Sequence, residues 1–357
     1  MKRIEFHNRE QEAKEIMDIL DTEPSLITFV YGPINSGKTA LITHLIDQLP
    51  KEYVVFYINL RTKFLASYDD FIESLFELEM ETNATKIKRK ETLAELVSSV
   101  TKVTGIPITR EFIDYVFKDN KPKNAFSYMI KIFEEVRATG RQPVLILDEL
   151  QKIGDVNVNG SLIYELFNFL IDLTKELHLC HVFAVTSDSL FIERVYSEAM
   201  LSGRCRYLLV DDFDHEIAAA FLEKHGFTAD EKRMAWEYCG GKPVCLVELI
   251  NYEKREEKLR EMLRIRRGQI DQRIGVLKDV RKKILYEGDE IEITYNDVMK
   301  TLNRFSENES YEYVRITPDV TYLVKENILF ADPANGIIKP QSRLNLLAIR
   351  EILRRGD

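Results

Sequence analysis

The sequence of 357 residues predicts an α/β protein: a parallel sheet first, then a helical segment, then a small α+β unit. Three observations carry this. Short continuous apolar runs with β-branched residues recur between residues 25 and 210 and read as strands buried on both faces. Helical patterns alternate with them, as in a parallel sheet with right-handed crossovers. From Asp211 the strand signals stop, and helical patterns take over.

The elements follow in order. Asn8 opens the first helix, with Gln11 three residues on as in a capping box, and Ala13, Ile16, Ile19 and Leu20 form its apolar face. Residues 25–31 (SLITFVY) read as a buried strand, Gly32–Thr39 as a glycine-bearing loop, and Leu41, Ile42, Leu45, Ile46 and Leu49 mark the next helix. A second strand is expected over 53–60, then a helix from Tyr68 to Met80. Thr92 to Val103 also reads as helical, broken by Gly105 and Pro107, after a solvated basic turn at Lys86, Lys88, Arg89 and Lys90. A helix from Ala125 to Ala138 leads into the strand PVLILDEL. A buried helix is expected from Ser161 to Leu177, with further strands at 181–186 (HVFAVT) and 206–210 (RYLLV).

Helices at Phe213–His225 and Asp230–Tyr238 precede the break Gly240-Gly241-Lys242-Pro243 and a helix from Val244. That helix continues as a connector with seven basic and four acidic residues between Tyr252 and Gly268. Then come a helix Leu277–Tyr286, a strand EIEITY, a helix Asn296–Phe305, and a third helix capped by Thr317 with Pro318 at its first position. A hairpin turning at Asn335-Gly336 and a last helix follow. Three helices with a hairpin is the winged-helix pattern. The expected division is 1–210, 211–267 and 268–357.

Composition narrows the function. Lys+Arg 50 against Asp+Glu 59 gives a net charge of −9, which excludes a uniformly basic coat for nucleic acid. Gly 15 and Pro 10 exclude collagenous and low-complexity readings. The first twenty residues are charged throughout and no apolar run approaches the ~18 residues of a span, so a cytoplasmic protein without a membrane partner is expected. The four cysteines form no C-x-x-C pair and read as buried thiols; Cys180 beside His178 and His181 lacks the second ligand cluster a metal site needs.

Two motifs carry chemistry. Gly32-Pro33-Ile34-Asn35-Ser36-Gly37-Lys38-Thr39 matches G-x-x-x-x-G-K-[ST] and joins a predicted buried strand to a predicted helix. Its backbone N–H groups, with Ala40 beyond them, curl around anionic oxygens at the positive end of that helix. Lys38 reaches the β- and γ-phosphates, and the Thr39 hydroxyl is placed to ligate Mg²⁺. The second motif is Val144–Leu147 followed by Asp148-Glu149, a buried strand with two carboxylates at its C-terminal edge, where open α/β sheets bind ligands. Asp148 fits the Mg²⁺ carboxylate, and Glu149 stands one residue on to polarise an attacking water. Together they predict an α/β P-loop NTPase with a helical lid and a C-terminal winged-helix domain.

On these residues the chain resembles the archaeal ATPases of the STAND class, relatives of AAA+ proteins. The resemblance rests on Asn8-Arg9-Glu10, GPINSGKT, LILDE, Gly203-Arg204 and Gly240-Gly241-Lys242-Pro243, and it spans nearly the whole chain. It implies an additional-strand sheet in which HVFAVT lies between the two motif strands, so that Thr186 and Ser187 face the γ-phosphate as polar sensors. It implies that Pro243 and Asn8-Arg9 pack near the adenine base, and that the ligand is ATP or ADP with Mg²⁺. Arg204 is expected to supply positive charge to the transition state, from its own chain or a neighbour's, or else to pair with Asp211 or Asp212. Two departures stand out: Ile34 and Asn35 where many relatives carry basic residues, and Ser187-Asp188 where many carry Gly-Ser.

The expected function is slow Mg²⁺-dependent ATP hydrolysis that moves the lid and the C-terminal domain. The alternative is a DNA-binding initiator-type ATPase. Charge disfavours it: residues 268–357 hold 14 Lys/Arg and 15 Asp/Glu, and the candidate recognition helix 318–327 sets Lys325 against Asp319 and Glu326. A protein partner, self-association or self-docking fits that unit better than DNA.

Overall fold

The computed structural model describes residues 6–65, 67–77, 101–108, 116, 121–155, 161–198, 201–286 and 288–355. Helix α1 (Glu10–Leu20) starts later than the sequence suggests. Arg9, not Asn8, is its N-cap, in the left-handed region at φ 92° and without a side-chain cap. The Asn8 Oδ1 accepts the adjacent Arg9 N–H at 2.6 Å, which uses up the oxygen a capping box would need.

Then come β1 (Ile27–Tyr31), α2 (Lys38–Gln48), β2 (Tyr53–Asn59), α3 (Tyr68–Leu75), β3 (Phe76–Glu77), β4 (Lys102–Thr104) and β5 (Ile106–Pro107). They are followed by α4 (Lys121–Ala138), β6 (Gln142–Asp148), α5 (Ser161–Ile171), β7 (His181–Thr186), α6 (Ser189–Glu198) and β8 (Cys205–Leu209). Six strands form one parallel sheet in the order β4-β2-β6-β7-β1-β8. Strand β7, the HVFAVT segment, lies between the two motif-bearing strands β6 and β1.

Two readings need correction here. The helix expected over Tyr68–Met80 stops at Leu75, because Phe76-Glu77 pairs with β5. The end of the helix expected over Thr92–Val103 is instead edge strand β4, with Lys102 opposite Val55. Residues 78–100, with the basic cluster at 86–90, lie outside the described residues.

Strand alternation divides the core. Phe29, Phe56, Leu145 and Leu147 face α3, α4 and α5, while Val30, Val55, Ile146 and Phe183 face α1 and α2. Both faces are covered, as a parallel sheet requires.

Beyond the sheet run α7 (His215–Lys224), α8 (Ala229–Cys239), α9 (Pro243–Ile250) and the long α10 (Arg255–Asp279). Helix α10 crosses two cores: Leu259 and Met262 pack with α7–α9, and Ile270, Ile274 and Leu277 pack with the C-terminal unit. That unit comprises β9 (Lys282–Tyr286), β10 (Asp289–Ile293), α11 (Tyr295–Asn303), β11 (Tyr311–Glu312), α12 (Pro318–Lys325), β12 (Leu329–Asp332), β13 (Ile337–Pro340) and α13 (Arg343–Leu353). The helix expected over Leu277–Tyr286 is therefore split. Leu277 ends α10, and residues 282–286 pair antiparallel with β10, with Lys283 bridging Glu290 at 3.0 Å.

The β12–β13 hairpin docks on the C-terminal edge of the large sheet. Phe330 joins the core of the N-terminal sheet, its ring 6.4 Å from that of Tyr31, the last residue of β1. The Tyr31 hydroxyl donates to Asp332 Oδ1 at 2.7 Å, and Asp332 is only 1% exposed. Burial and that bond push the Tyr31 hydroxyl well above its usual range. Asp332 also accepts the Ala334 and Asn335 N–H groups, so a Tyr31→Phe variant leaves its charge partly satisfied. That variant is expected to lose about 1.5–3 kcal/mol of stability, the range for a hydrogen bond to a charged group, read as a lowered denaturation midpoint.

Candidate active site

The phosphate loop hangs between β1 and α2. A Cβ on Gly32 would stand 2.2 Å from the Val210 carbonyl oxygen, so the loop leaves the sheet at a point only glycine can occupy. Gly37 is the N-cap of α2, at φ 99° and with no side-chain cap, and Asn35 is also left-handed at φ 60°. The first amides of α2, those of Lys38, Thr39 and Ala40, therefore face the loop as a helix N-terminus. The buried Ser36 Oγ has no hydrogen-bond partner among the described residues. A glycine-shaped cradle, an uncapped helix start and an orphaned hydroxyl fit a phosphate chain.

Lys38 is 6% exposed, and its ammonium donates to the Gly32 and Pro33 carbonyls at 2.9 Å each. Burial first, and the like charge of Lys242 second, push its pKa down to about 7, against the pull of Glu149, Asp148 and Asp212. A bound triphosphate would restore the charge. Above pH 7 binding then takes up a proton, so affinity for ATP is expected to fall by up to about tenfold per pH unit. Below pH 7 the lysine is already charged and this dependence vanishes. Calorimetric titration at pH 8 in two buffers of different protonation heat measures the uptake directly.

Asp148 is 1% exposed at the end of β6. Its Oδ2 accepts from the Thr39 hydroxyl at 3.0 Å and the Tyr57 hydroxyl at 2.7 Å, while Oδ1 accepts the Glu149 N–H at 3.0 Å. Thr39 and Asp148, the two expected Mg²⁺ ligands, thus meet across the sheet edge as an oxygen pair that suits a hard cation. Glu149 turns away into the left-handed region at φ 60°, a conformation costing on the order of 1–3 kcal/mol. Its carboxylate is held on both oxygens: Arg61 pairs with Oε1, and Gln151 Nε2 donates to Oε2 at 2.6 Å. Gln151 Oε1 in turn accepts from the Thr186 hydroxyl at 2.8 Å. Thr186 is therefore tied to Glu149 through one side chain, while Ser187 stands beside it at the end of β7, half-buried.

The other predicted residues fall in three places. Arg9 is buried beneath the loop, donating to the Ser36 and Asp211 carbonyls at 2.7 and 2.6 Å, with its guanidinium 4.7 Å from the centre of the Phe213 ring. Asn8 precedes it, and Pro243 opens α9 opposite the loop. Arg204 lies apart from these residues, which leaves a neighbouring chain's nucleotide as the place where its expected role would be played. It stands at the N-terminal end of β8, where its carbonyl accepts the Ile27 N–H, whereas the loop lies at the C-terminal end beside Leu209. Five strand residues at ~3.3 Å each separate the two ends, too far for Arg204 to act on a nucleotide of its own chain. Its alternative partners are taken as well: Asp211 pairs with Lys339 and Asp212 with Lys242. Among the described residues no cluster of three or more His, Cys, Asp and Glu is placed to hold a metal, and the cysteines are free.

Several residues here escaped the sequence reading. Lys242 reaches in from the lid, 3% exposed, its ammonium 3.0 Å from the Ile34 carbonyl. Gln341, from the C-terminal unit, accepts the Ile34 N–H at 3.1 Å. Its only local trace is a polar residue after a strand. Lys242 had a better signal, as a lysine inside the Gly-Gly-x-Pro break. Tyr57, Arg61 and Gln151 gave none beyond proximity to strand ends.

A glycine loop, its lysine and an Asp-Glu pair, all at the C-terminal edge of a parallel sheet, define a P-loop NTPase. Residues 6–249 match the ATPase domain found predominantly in Archaea, and residues 256–353 match the C-terminal domain of uncharacterized ATP-binding proteins like MJ1010. The chain belongs to this archaeal ATPase family. It is 49% identical over 350 residues to the uncharacterized ATP-binding protein PYRAB09480 of Pyrococcus abyssi, covering 98% of each. It is 46% identical over 364 residues to the uncharacterized ATP-binding protein MJ1659 of Methanocaldococcus jannaschii, again covering 98% of each. Its fold is similar to the Walker-type ATPase paby2304 of Pyrococcus abyssi, with a TM-score of 0.63 at 15% identity over 97% of this chain and 96% of that one. No described helix is long and apolar enough to cross a membrane.

Proposed function

We propose that the chain hydrolyses ATP with Mg²⁺ and couples nucleotide state to the seating of the lid and the C-terminal unit on the phosphate loop. The observation that carries this is the convergence of Lys38, Thr39, Asp148 and Glu149 on one sheet edge that the C-terminal unit also touches, through Gln341 and Asp332. In this reading the loop amides and Lys38 bind the phosphates, and Thr39 and Asp148 would hold a Mg²⁺ ion, which when bound would supply charge neutralisation to the phosphates. Glu149 takes the proton of the attacking water once its carboxylate leaves Arg61 and Gln151. Thr186 senses the terminal phosphate, and Asn8, Arg9 and Pro243 border the base. A nucleotide biases the C-terminal unit only if it binds the docked and undocked arrangements differently, and the Ile34–Gln341 bond gives it the means.

The division at about 210 and 267, a winged-helix identity for the last unit and the STAND class belong to the same proposal. Helices α11, α12 and α13 with the β12–β13 hairpin support it. The DNA-binding alternative is less favoured. The hairpin is docked on the sheet, Val320, Tyr322, Leu323 and Val324 of α12 are buried, and the connector bases pair in place, as in Lys254–Glu257, Lys258–Glu248 and Arg260–Glu256.

Phosphate release by the purified chain tests this, with Mg²⁺ or chelator and with or without duplex DNA near 0.15 M salt. Mg²⁺-dependent turnover indifferent to DNA is expected. Tight ATP binding with no turnover would make the chain a scaffold, and turnover stimulated by DNA would favour the initiator-type alternative.

A further inference from the structure

We propose that the chain pairs with a second copy of itself along the exposed face of α10, the two helices running antiparallel across a two-fold axis beside Gly268. Four charges carry this. Glu257, Arg264, Asp271 and Lys278 follow one another at intervals of seven residues, alternate in sign, and are all exposed. A seven-residue repeat drifts by only ~20° per step on a straight helix, so the four stand along one edge of α10.

Their order is self-complementary. Reversing the helix turns minus, plus, minus, plus into its opposite. Two copies laid antiparallel therefore set Glu257 against Lys278 and Arg264 against Asp271, and each pair occurs twice, as an isologous contact requires. Both pairs share one midpoint, between Arg267 and Gly268. Gly268 is exposed, and a Cβ built there would meet nothing within 4 Å, so the backbones can approach closely where the charges make them cross. Ile265, 47% exposed, then falls between Gln269 and Gln272 of the second copy, both of them exposed.

Within one chain the four charges cannot serve one another. Seven residues of helix rise about 10.5 Å, beyond the reach of an ion pair. Other charges of α10 pair at three or four residues, as in Lys258–Glu261 at 3.3 Å and Arg260–Glu256 at 2.5 Å. Among the described residues neither Arg264 nor Asp271 has an ion-pair or hydrogen-bond partner. The outer two are held loosely. Glu257 meets Lys254 at 3.2 Å with the two side chains 71% and 77% exposed, and the Lys278 ammonium lies 4.4 Å from the centre of the Tyr295 ring. Exposed contacts of this kind contribute little, so exchanging them for a second copy costs little.

Sedimentation velocity of the full chain, from about 1 to 100 µM near 0.15 M salt, tests this. A single helix pair is a small interface, so a reversible dimer dissociating in the micromolar range is expected. Arg264→Glu and Asp271→Arg each set like charges against each other twice, and each is expected to weaken pairing at least about tenfold. Mixed in equal amounts, the two variants offer each other only opposite charges, so a heterodimer within about threefold of the unmodified dimer is expected. The double variant Arg264→Glu/Asp271→Arg is expected to pair likewise. All these positions are exposed, and unchanged denaturation profiles check the fold. Register is read by cross-linking, with the unmodified chain as blank. Gly268→Cys is expected to join two copies through a short bis-maleimide; Gly275→Cys, whose copies would stand about 22 Å apart along the helix axes, is not. A chain that stays monomeric at about 100 µM would overturn the proposal, as would single reversals that pair as well as the unmodified chain. So would a mixture that restores nothing, or equal cross-linking at both glycines, the mark of a parallel pair.

Discussion

The Lys38→Ala variant is expected to release no detectable phosphate. Truncation removes the only cation that the loop itself carries, and with it the charge proposed to meet the β- and γ-phosphates. Loss of a single preorganised donor of this kind costs about 10²–10³ in rate, and a full charge should exceed that. The fold should survive. Burial already pushes this lysine down to about 7, so its removal relieves an unfavourable buried charge while leaving the Gly32 and Pro33 carbonyls without a donor. An unchanged denaturation profile alongside abolished turnover is the expected pair of results. Unchanged hydrolysis would remove residues 32–39 from the site.

The Glu149→Gln variant separates binding from chemistry. The amide keeps the shape of the side chain and can still meet Gln151, but it cannot take a proton from water. ATP is expected to bind as before, while phosphate release falls by at least ~10²-fold, the low end for a general base. Binding is read by titration and turnover by single-cycle phosphate release. A collapse in affinity would instead make Glu149 part of the metal or phosphate contacts.

What was legible in the sequence follows a physical division. The loop and the Asp-Glu pair are contiguous, each joined to a buried strand, so spacing alone located them. That Arg204 stands far from the loop of its own chain follows from the sheet: all six strands run parallel, Arg204 precedes β8, and the loop lies at the other end. The split of residues 277–286 was hidden because Ile284 continues a helical apolar spacing from Leu277, while the pairing that makes Lys282–Tyr286 a strand lies in the residues that follow. Strand β4 carries one half-buried apolar residue, Val103, too little for a local signal. Lys242 and Gln341 act on Ile34 from 208 and 307 residues away, and no local pattern reports such contacts.

The docked hairpin has a consequence for how the chain is made. Tyr31 and its partner Asp332 are 301 residues apart, and Phe330 completes a core otherwise built from the N-terminal sheet and its covering helices. Chains emerge from the ribosome at about 5–20 residues per second, and N-terminal domains fold first. For roughly ten seconds, then, the time to add the residues between Leu209 and Leu329, a newborn sheet carries a phosphate loop whose rim is still open. The nascent chain must pass through that interval before the hairpin arrives to seal it, and any message cut short before residue 329 leaves the rim unsealed for good.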